Sequence, residues 1–170
     1  IMNEFNKNID VLWDDNPVDI TNEANFIWSI ANKLRGVYMP DKYGDVIIPM
    51  TIIRRLECAL EDTKNNVLTI FKEDPTIPEK LLTRASGFQF YNTSEFSLKE
   101  LINDPDHIEM NFISYINSFS SNVQQLLNSE DCLNMSSHIK TMNKGGCLYT
   151  VVKAFSELDL SPKTYDSIKG

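Results

Sequence analysis

The sequence predicts a mostly α protein, a compact multi-helix bundle with at most one short strand-like hairpin or loop. Three observations point there. Apolar residues recur at three- and four-residue steps through most of the chain, the spacing of a single helix face. The breaks between these stretches carry helix stop and start residues: Gly36, Pro75, Gly87, the pair Asp104 and Pro105, and the pair Gly145 and Gly146. Only "GFQFYNTS", residues 87–94, has β character, and it is too short and solitary to build a sheet. The 170 residues, 42% hydrophobic and 10% aromatic, are enough for one full-sized core and exclude a disordered tail.

The elements follow in order. The first 23 residues hold six acids and one base, so residues 1–21 read as an acidic, partly extended lead-in with a short helix around Ile9 to Trp13. Ile1, ahead of Met2, looks foreign to the native sequence. From Asn22 the pattern turns helical through Phe26, Ile27, Ile30, Ala31 and Leu34, and Gly36 follows Arg35 as a C-terminal stop. A longer helix runs from Tyr43 through Val46, Met50, Ile53 and Leu56 to Leu60, with Ile47 and Ile52 widening its apolar stripe. An apolar face that broad belongs to a central helix. Pro49 lies inside it and predicts a kink near Asp45 to Pro49, because proline removes one backbone donor.

"NNVLTIFKED" and "IPEKLLTRASG" predict two shorter helices. At "NDPDHIEMNF", Asp104 suits an N-cap and Pro105 the first helical position. The stripe from Ile108 through Phe112, Tyr115, Ile116, Phe119 and Val123 to Leu127 then predicts about five continuous turns. Asn134 to Asn143 predicts a short helix, and Leu148, Val151, Val152, Phe155 and Leu158 a last one. The helical domain thus spans residues 22–160. Residues 161–170 open with Ser161 and Pro162, a helix-start signal, and read as the beginning of a linker or helix leading into a further domain.

Several chemistries have no foothold here. The three cysteines, Cys58, Cys132 and Cys147, form no C-x-x-C, and His107 and His138 form no H-x-x-x-H, so a metal site is not expected. There is no glycine-rich phosphate loop and no G-x-S-x-G elbow. Adjacent acids such as Glu73 with Asp74 and Glu130 with Asp131 sit in polar, turn-like runs, where carboxylates are ordinarily solvated loop charges. No apolar run approaches the ~20 residues of a membrane span, and the start has no basic-then-apolar leader, which predicts a cytoplasmic protein.

One feature runs against the acidic whole. The chain has net charge −8, yet residues 31–56 carry five bases, Lys33, Arg35, Lys42, Arg54 and Arg55, against two acids, Asp41 and Asp45. The bland explanation is a solvated helix face: Lys33 and Arg35 would complement a helix C-terminus, while Arg54 and Arg55 would pair with Glu57, Glu61 or Asp62. The functional explanation is phosphate contact, which needs cations but no particular side-chain order.

Residues 26–60, "FIWSIANKLRGVYMPDKYGDVIIPMTIIRRLECAL", resemble the start of the modification (methyltransferase) subunit of type I restriction–modification systems. The residues that carry the likeness are Trp28, Ala31, Leu34, Arg35, Gly36, Tyr43, Arg54, Arg55 and Leu56. It continues through "FYNTSEFSL", "NFISYINSFSSNVQQLL" and "VVKAFSELDLSP". The resemblance implies a helical N-terminal domain that lies beside DNA and precedes a separate methyltransferase domain. That second domain would bind S-adenosylmethionine and use an N-P-P-aromatic motif on the exocyclic amino group of a flipped adenine. The nearest strings here, "NPV" at 16–18 and "DPD" at 104–106, lack the second proline and the aromatic, so no catalytic or cofactor-binding position is carried over.

The implied partners are DNA, held weakly by this domain alone, the specificity subunit, a second modification subunit and the restriction subunit. The DNA-contact candidates are Lys33, Arg35, Lys42, Arg54 and Arg55. Tyr38 and Met39, apolar residues in the turn before Pro40, and Phe88, Phe90 and Tyr91 in the strand-like loop are candidate protein-facing residues, with satellite core packing as the alternative. The competing reading of the whole chain is a stand-alone acidic helical interaction module unrelated to DNA. Because the segment carries no cofactor loop, it is expected to bind no S-adenosylmethionine and to methylate no DNA by itself. Calorimetric titration of the 170-residue chain with the cofactor checks this, saturable heat being the contrary result.

Overall fold

Among the described residues Thr21–Leu34 forms the first helix, α1, and presents Ile30 and Leu34 to the interior, while Phe26 meets the ring of Phe155 edge-to-face at 5.0 Å. The computed structural model describes residues 21–162. The acidic lead-in, its short helix around Ile9 to Trp13, and residues 163–170 lie outside the described residues. A 3-10 turn, Pro40–Lys42, leads into α2, Gly44–Leu60, which runs through Pro49 without interruption. Val46, Met50 and Ile53 of α2 are wholly buried, as a central helix requires. The expected stripe is narrower on α1, where Ile27 is half exposed.

After a second 3-10 turn, Glu61–Thr63, come α3, Lys64–Glu73, and α4, Glu79–Ser86, ended by Gly87 in the left-handed region at φ +80°. α3 and α4 enclose a small satellite core of Val67, Leu82 and Tyr91. Leu98–Ile102 forms α5, a single turn that the apolar periodicity does not suggest. Its signal is the string Ser97-Leu98-Lys99-Glu100: the Ser97 hydroxyl accepts from the Glu100 amide at 3.2 Å, an N-cap.

The long helix expected over 108–127 is corrected by the structure. Pro105–His107 is a 3-10 turn, α6 spans Ile108–Asn117, and α7 spans Ser121–Asn128. Asp104 does not cap; its carboxylate holds His107 at 3.0 Å and Asn111 at 3.2 Å. The break at 118–120 has a clear cause. The segment 91–93 comes alongside, so the Ser120 amide donates to Tyr91 O (2.9 Å) where a continuing helix would use Ile116 O. The Thr93 amide donates to Ser118 O (2.9 Å), and the Asn92 side chain donates to Tyr115 O (3.0 Å). The strand-like segment therefore pairs with a helix break rather than with another strand.

Met135–Lys144, α8, and Leu148–Ser156, α9, complete the bundle. α9 packs on α5, α1, α2 and α8 and buries Leu148, Val151, Val152 and Phe155. Among the described residues no helix is long and apolar enough to cross a membrane.

A polar node sits inside this apolar frame. Glu57 of α2 accepts from Arg54 at 2.6 Å on one oxygen, and from the Leu98 amide (2.9 Å) and the Tyr115 hydroxyl (2.8 Å) on the other. Both partners of the ion pair are largely buried, with Arg54 18% and Glu57 11% exposed at the side chain. Burial, with the Glu57 carboxylate beside it, pushes the Tyr115 phenol well above its ordinary pKa, so it remains a donor. Lys64 extends the node, donating to Phe96 O and lying 5.9 Å from the centre of the Tyr115 ring.

Two substitutions test this frame. Ile53→Ala removes a wholly buried side chain from the central helix and is expected to cost ~2–5 kcal/mol in denaturant unfolding; a loss under ~1 kcal/mol would mark α2 as peripheral. Glu57→Ala strands a buried guanidinium, an amide and a phenol together and is expected to cost ~3–5 kcal/mol. A stability change near zero for Glu57→Ala would show that the node does not hold α2, α5 and α6 together.

Candidate nucleic-acid interface

The connection between α1 and α2 is built tightly. Gly36 takes φ +85°, and the amides of Val37 and Tyr38 both donate to Leu34 O, at 3.0 and 2.9 Å, closing the end of α1. Val37 then turns inward against the bend between α8 and α9. A Cβ on Gly145 would lie 2.6 Å from Val37 Cγ1, so glycine is needed there for the approach itself. Tyr38 lies over His138 of α8, its hydroxyl 2.9 Å from Nδ1, with ring centres 5.7 Å apart. Burial pushes the Tyr38 phenol up and the His138 imidazole down, so both stay uncharged near neutral pH. The connection is thus pinned from beneath by two contacts with elements about a hundred residues away.

The exposed cations at the connection are Arg35 and Lys42, while Lys33 lines the groove between α1 and α9. Lys33 reaches Ser29 at 3.1 Å, Arg35 reaches Asn32 at 3.0 Å, and Lys42 projects from the 3-10 turn. Arg35 and Lys42 are exposed, Lys33 half-buried. Met39, 70% exposed, lies between them in the chain, and Trp28, 66% exposed, stands one and two turns before Asn32 and Arg35 on α1. Both cationic contacts are single hydrogen bonds to neutral side chains, which leave the charges facing solvent.

Arg54 and Arg55 do not join this group. They lie about 15–17 Å along α2 from its start at Gly44, by the rise of the helix. Arg54 is held by Glu57 and donates from Nε to Leu158 O at 2.7 Å, and Arg55 donates to Leu160 O. The five cations that cluster in sequence therefore separate: Arg35 and Lys42 stand exposed at the connection, Lys33 lies half-buried in the groove between α1 and α9, and Arg54 and the exposed Arg55 donate to carbonyls of the segment after α9.

The aromatic candidates divide as well. Tyr91 is buried in the satellite core, its hydroxyl donating to Glu79 at 2.7 Å, which is the packing alternative to a protein-facing role. Phe90 packs against the main core, and Phe88, 38% exposed, stacks on it at 5.2 Å. The apolar stripe Phe26, Ile27, Ile30, Ala31 and Leu34 leaves Trp28 off the buried face, yet sequence reasoning did not name it as a surface candidate. It also missed His138, whose partner lies a hundred positions away.

The cavity beside the polar node is lined by Glu57, Leu60, Thr63, Lys64, Val67, Asn92 and Tyr115. It measures about 20 Å³, room for one water molecule and far too small for S-adenosylmethionine. Cys58 and Cys147 are buried free thiols and Cys132 an exposed one.

No curated protein and no solved structure matches the chain. A family model does match: that of the HsdM N-terminal domain, over residues 24–155, from the first turns of α1 to the end of α9. With most of its length covered, the chain belongs to this family, the N-terminal domain of the modification subunit of type I restriction–modification systems.

Proposed function

We propose that this domain is a non-catalytic part of a type I adenine-specific DNA methyltransferase, helping to hold DNA and to join the modification subunit to its partners. The observation that carries the reading is the exposed pair Arg35 and Lys42, with Lys33 close by in sequence at the end of α1, on a connection pinned by Tyr38–His138 and by Val37 against Gly145. A cation on a pinned connection meets a phosphate with less ordering cost than one on a loose loop. Family membership supports the setting of a DNA-modifying assembly.

In this reading the chemistry belongs to another domain of the full-length subunit, which binds S-adenosylmethionine and moves its methyl group to the adenine amino group. The domain described here supplies position. Its net charge of −8 repels DNA as a whole, so the three cations act as a local phosphate contact, and base recognition falls to the specificity subunit. Met39 and Phe88, the exposed members of the apolar candidates, serve contacts with the specificity subunit or a second modification subunit. The restriction subunit is a further partner, and the assembly works in the cytoplasm.

The test uses the assembled methyltransferase. Arg35→Gln with Lys42→Gln is expected to weaken binding equally for specific and unrelated duplexes. The slope of log K against log salt should shrink by ~0.9 for each phosphate that is no longer neutralised. Stability should move by no more than ~1 kcal/mol, since both groups are exposed. An unchanged salt slope with assembly intact removes the DNA role of this patch.

A further inference from the structure

We propose that Arg54 and Arg55 of α2 form a clamp that fixes where and in which direction the chain leaves the domain after α9. α9 ends at Ser156, and the following residues alternate: Leu158 is half-buried, Asp159 exposed and Leu160 buried, the pattern of an extended segment lying on the core. In an extended chain the carbonyls of alternate residues point the same way. Those of Leu158 and Leu160 take the two guanidinium groups, Arg54 Nε on one and Arg55 Nη1 on the other. One turn further along α2, the buried Cys58 thiol lies beside the backbone of Leu160.

The segment then turns sharply, the Ser161 amide donating to the Asp159 carboxylate at 2.9 Å. Two leucine side chains and two carbonyls thus hold a stretch of three residues. A freely hinged linker would need none of them. Arg54 also carries the Glu57 ion pair, so the exit segment is tied through it to the node that holds α5 and α6. The charged pair that looks like a phosphate site in the sequence works instead as an internal fastening. Whatever is attached beyond Pro162 starts from a set position relative to α2. This assignment stands on the geometry of α2 and residues 158–161 and does not depend on the DNA-holding reading.

Hydrogen exchange on the whole chain tests it, read at the amides of Leu158, Leu160 and Ser161. Arg55 is the probe, because replacing Arg54 would also break the buried pair with Glu57. Arg55→Gln is expected to speed exchange at these amides about tenfold or more, the scale of removing one charged hydrogen bond, while amides of α6 are unchanged. Arg55→Met, which keeps the apolar stem but has no donor, should act in the same way. Unchanged exchange at 158–161 in both variants overturns the clamp. So does a smaller salt slope for DNA binding by the assembled enzyme carrying Arg55→Gln, which would make Arg55 a phosphate ligand.

Discussion

Glu57 brings a carboxylate into the interior of a small helical domain, and elements distant in sequence are held together by the way that charge is satisfied. Arg54, one turn away on the same helix, neutralises it; the α5 amide of Leu98 and the α6 phenol of Tyr115 complete its hydrogen bonds. A buried ion pair alone recovers little more than its desolvation cost, so its value lies in geometry. The carboxylate accepts all three donors only if α2, α5 and α6 take one arrangement. The apolar core of Val46, Met50, Ile53, Phe112 and Ile116 would tolerate small slips that this node does not.

The same constraint divides the basic residues by role. Arg54 and Arg55 point toward fixed acceptors, a carboxylate and two carbonyls, and their charge serves the domain's own chain. Arg35 and Lys42 stand exposed on a connection whose backbone is closed by hydrogen bonds to Leu34 and whose underside is held by His138 and the Gly145 bend. In the function proposed for this domain, overall repulsion would keep unassisted DNA binding weak, and a few exposed cations would act once other subunits had brought the duplex close.

How the family resemblance maps onto the structure is informative. Leu34 lies wholly in the core and Gly36 takes a left-handed conformation that closes α1. Trp28 and Arg35 belong to the same helical stretch yet face solvent, and Arg54 and Arg55 hold the chain's exit. Residues that look like one motif in the sequence therefore divide between the core, the end of α1, the solvent face and the segment after α9.

Much of the helical order was legible locally. Gly36, Gly87 and Gly146 carry the positive φ angles that end helices, and the three- and four-residue steps mark the buried faces of α2, α6, α8 and α9. These signals depend on neighbours within a turn or two, so the sequence alone determined the helical class, the central place of α2 and the likeness of residues 26–60 to the modification subunit. Three things were decided only in the tertiary structure. The helix expected over 108–127 breaks because segment 91–93 takes its backbone hydrogen bonds. Tyr91 turns inward because α3 and α4 leave a pocket for it. The basic cluster splits because the acceptors for Arg54 and Arg55 lie more than a hundred residues along the chain, at Leu158 and Leu160. Each depends on a partner outside the reach of local periodicity: a pattern of side chains shows which face is apolar, and only the folded chain supplies the groups that satisfy the polar ones.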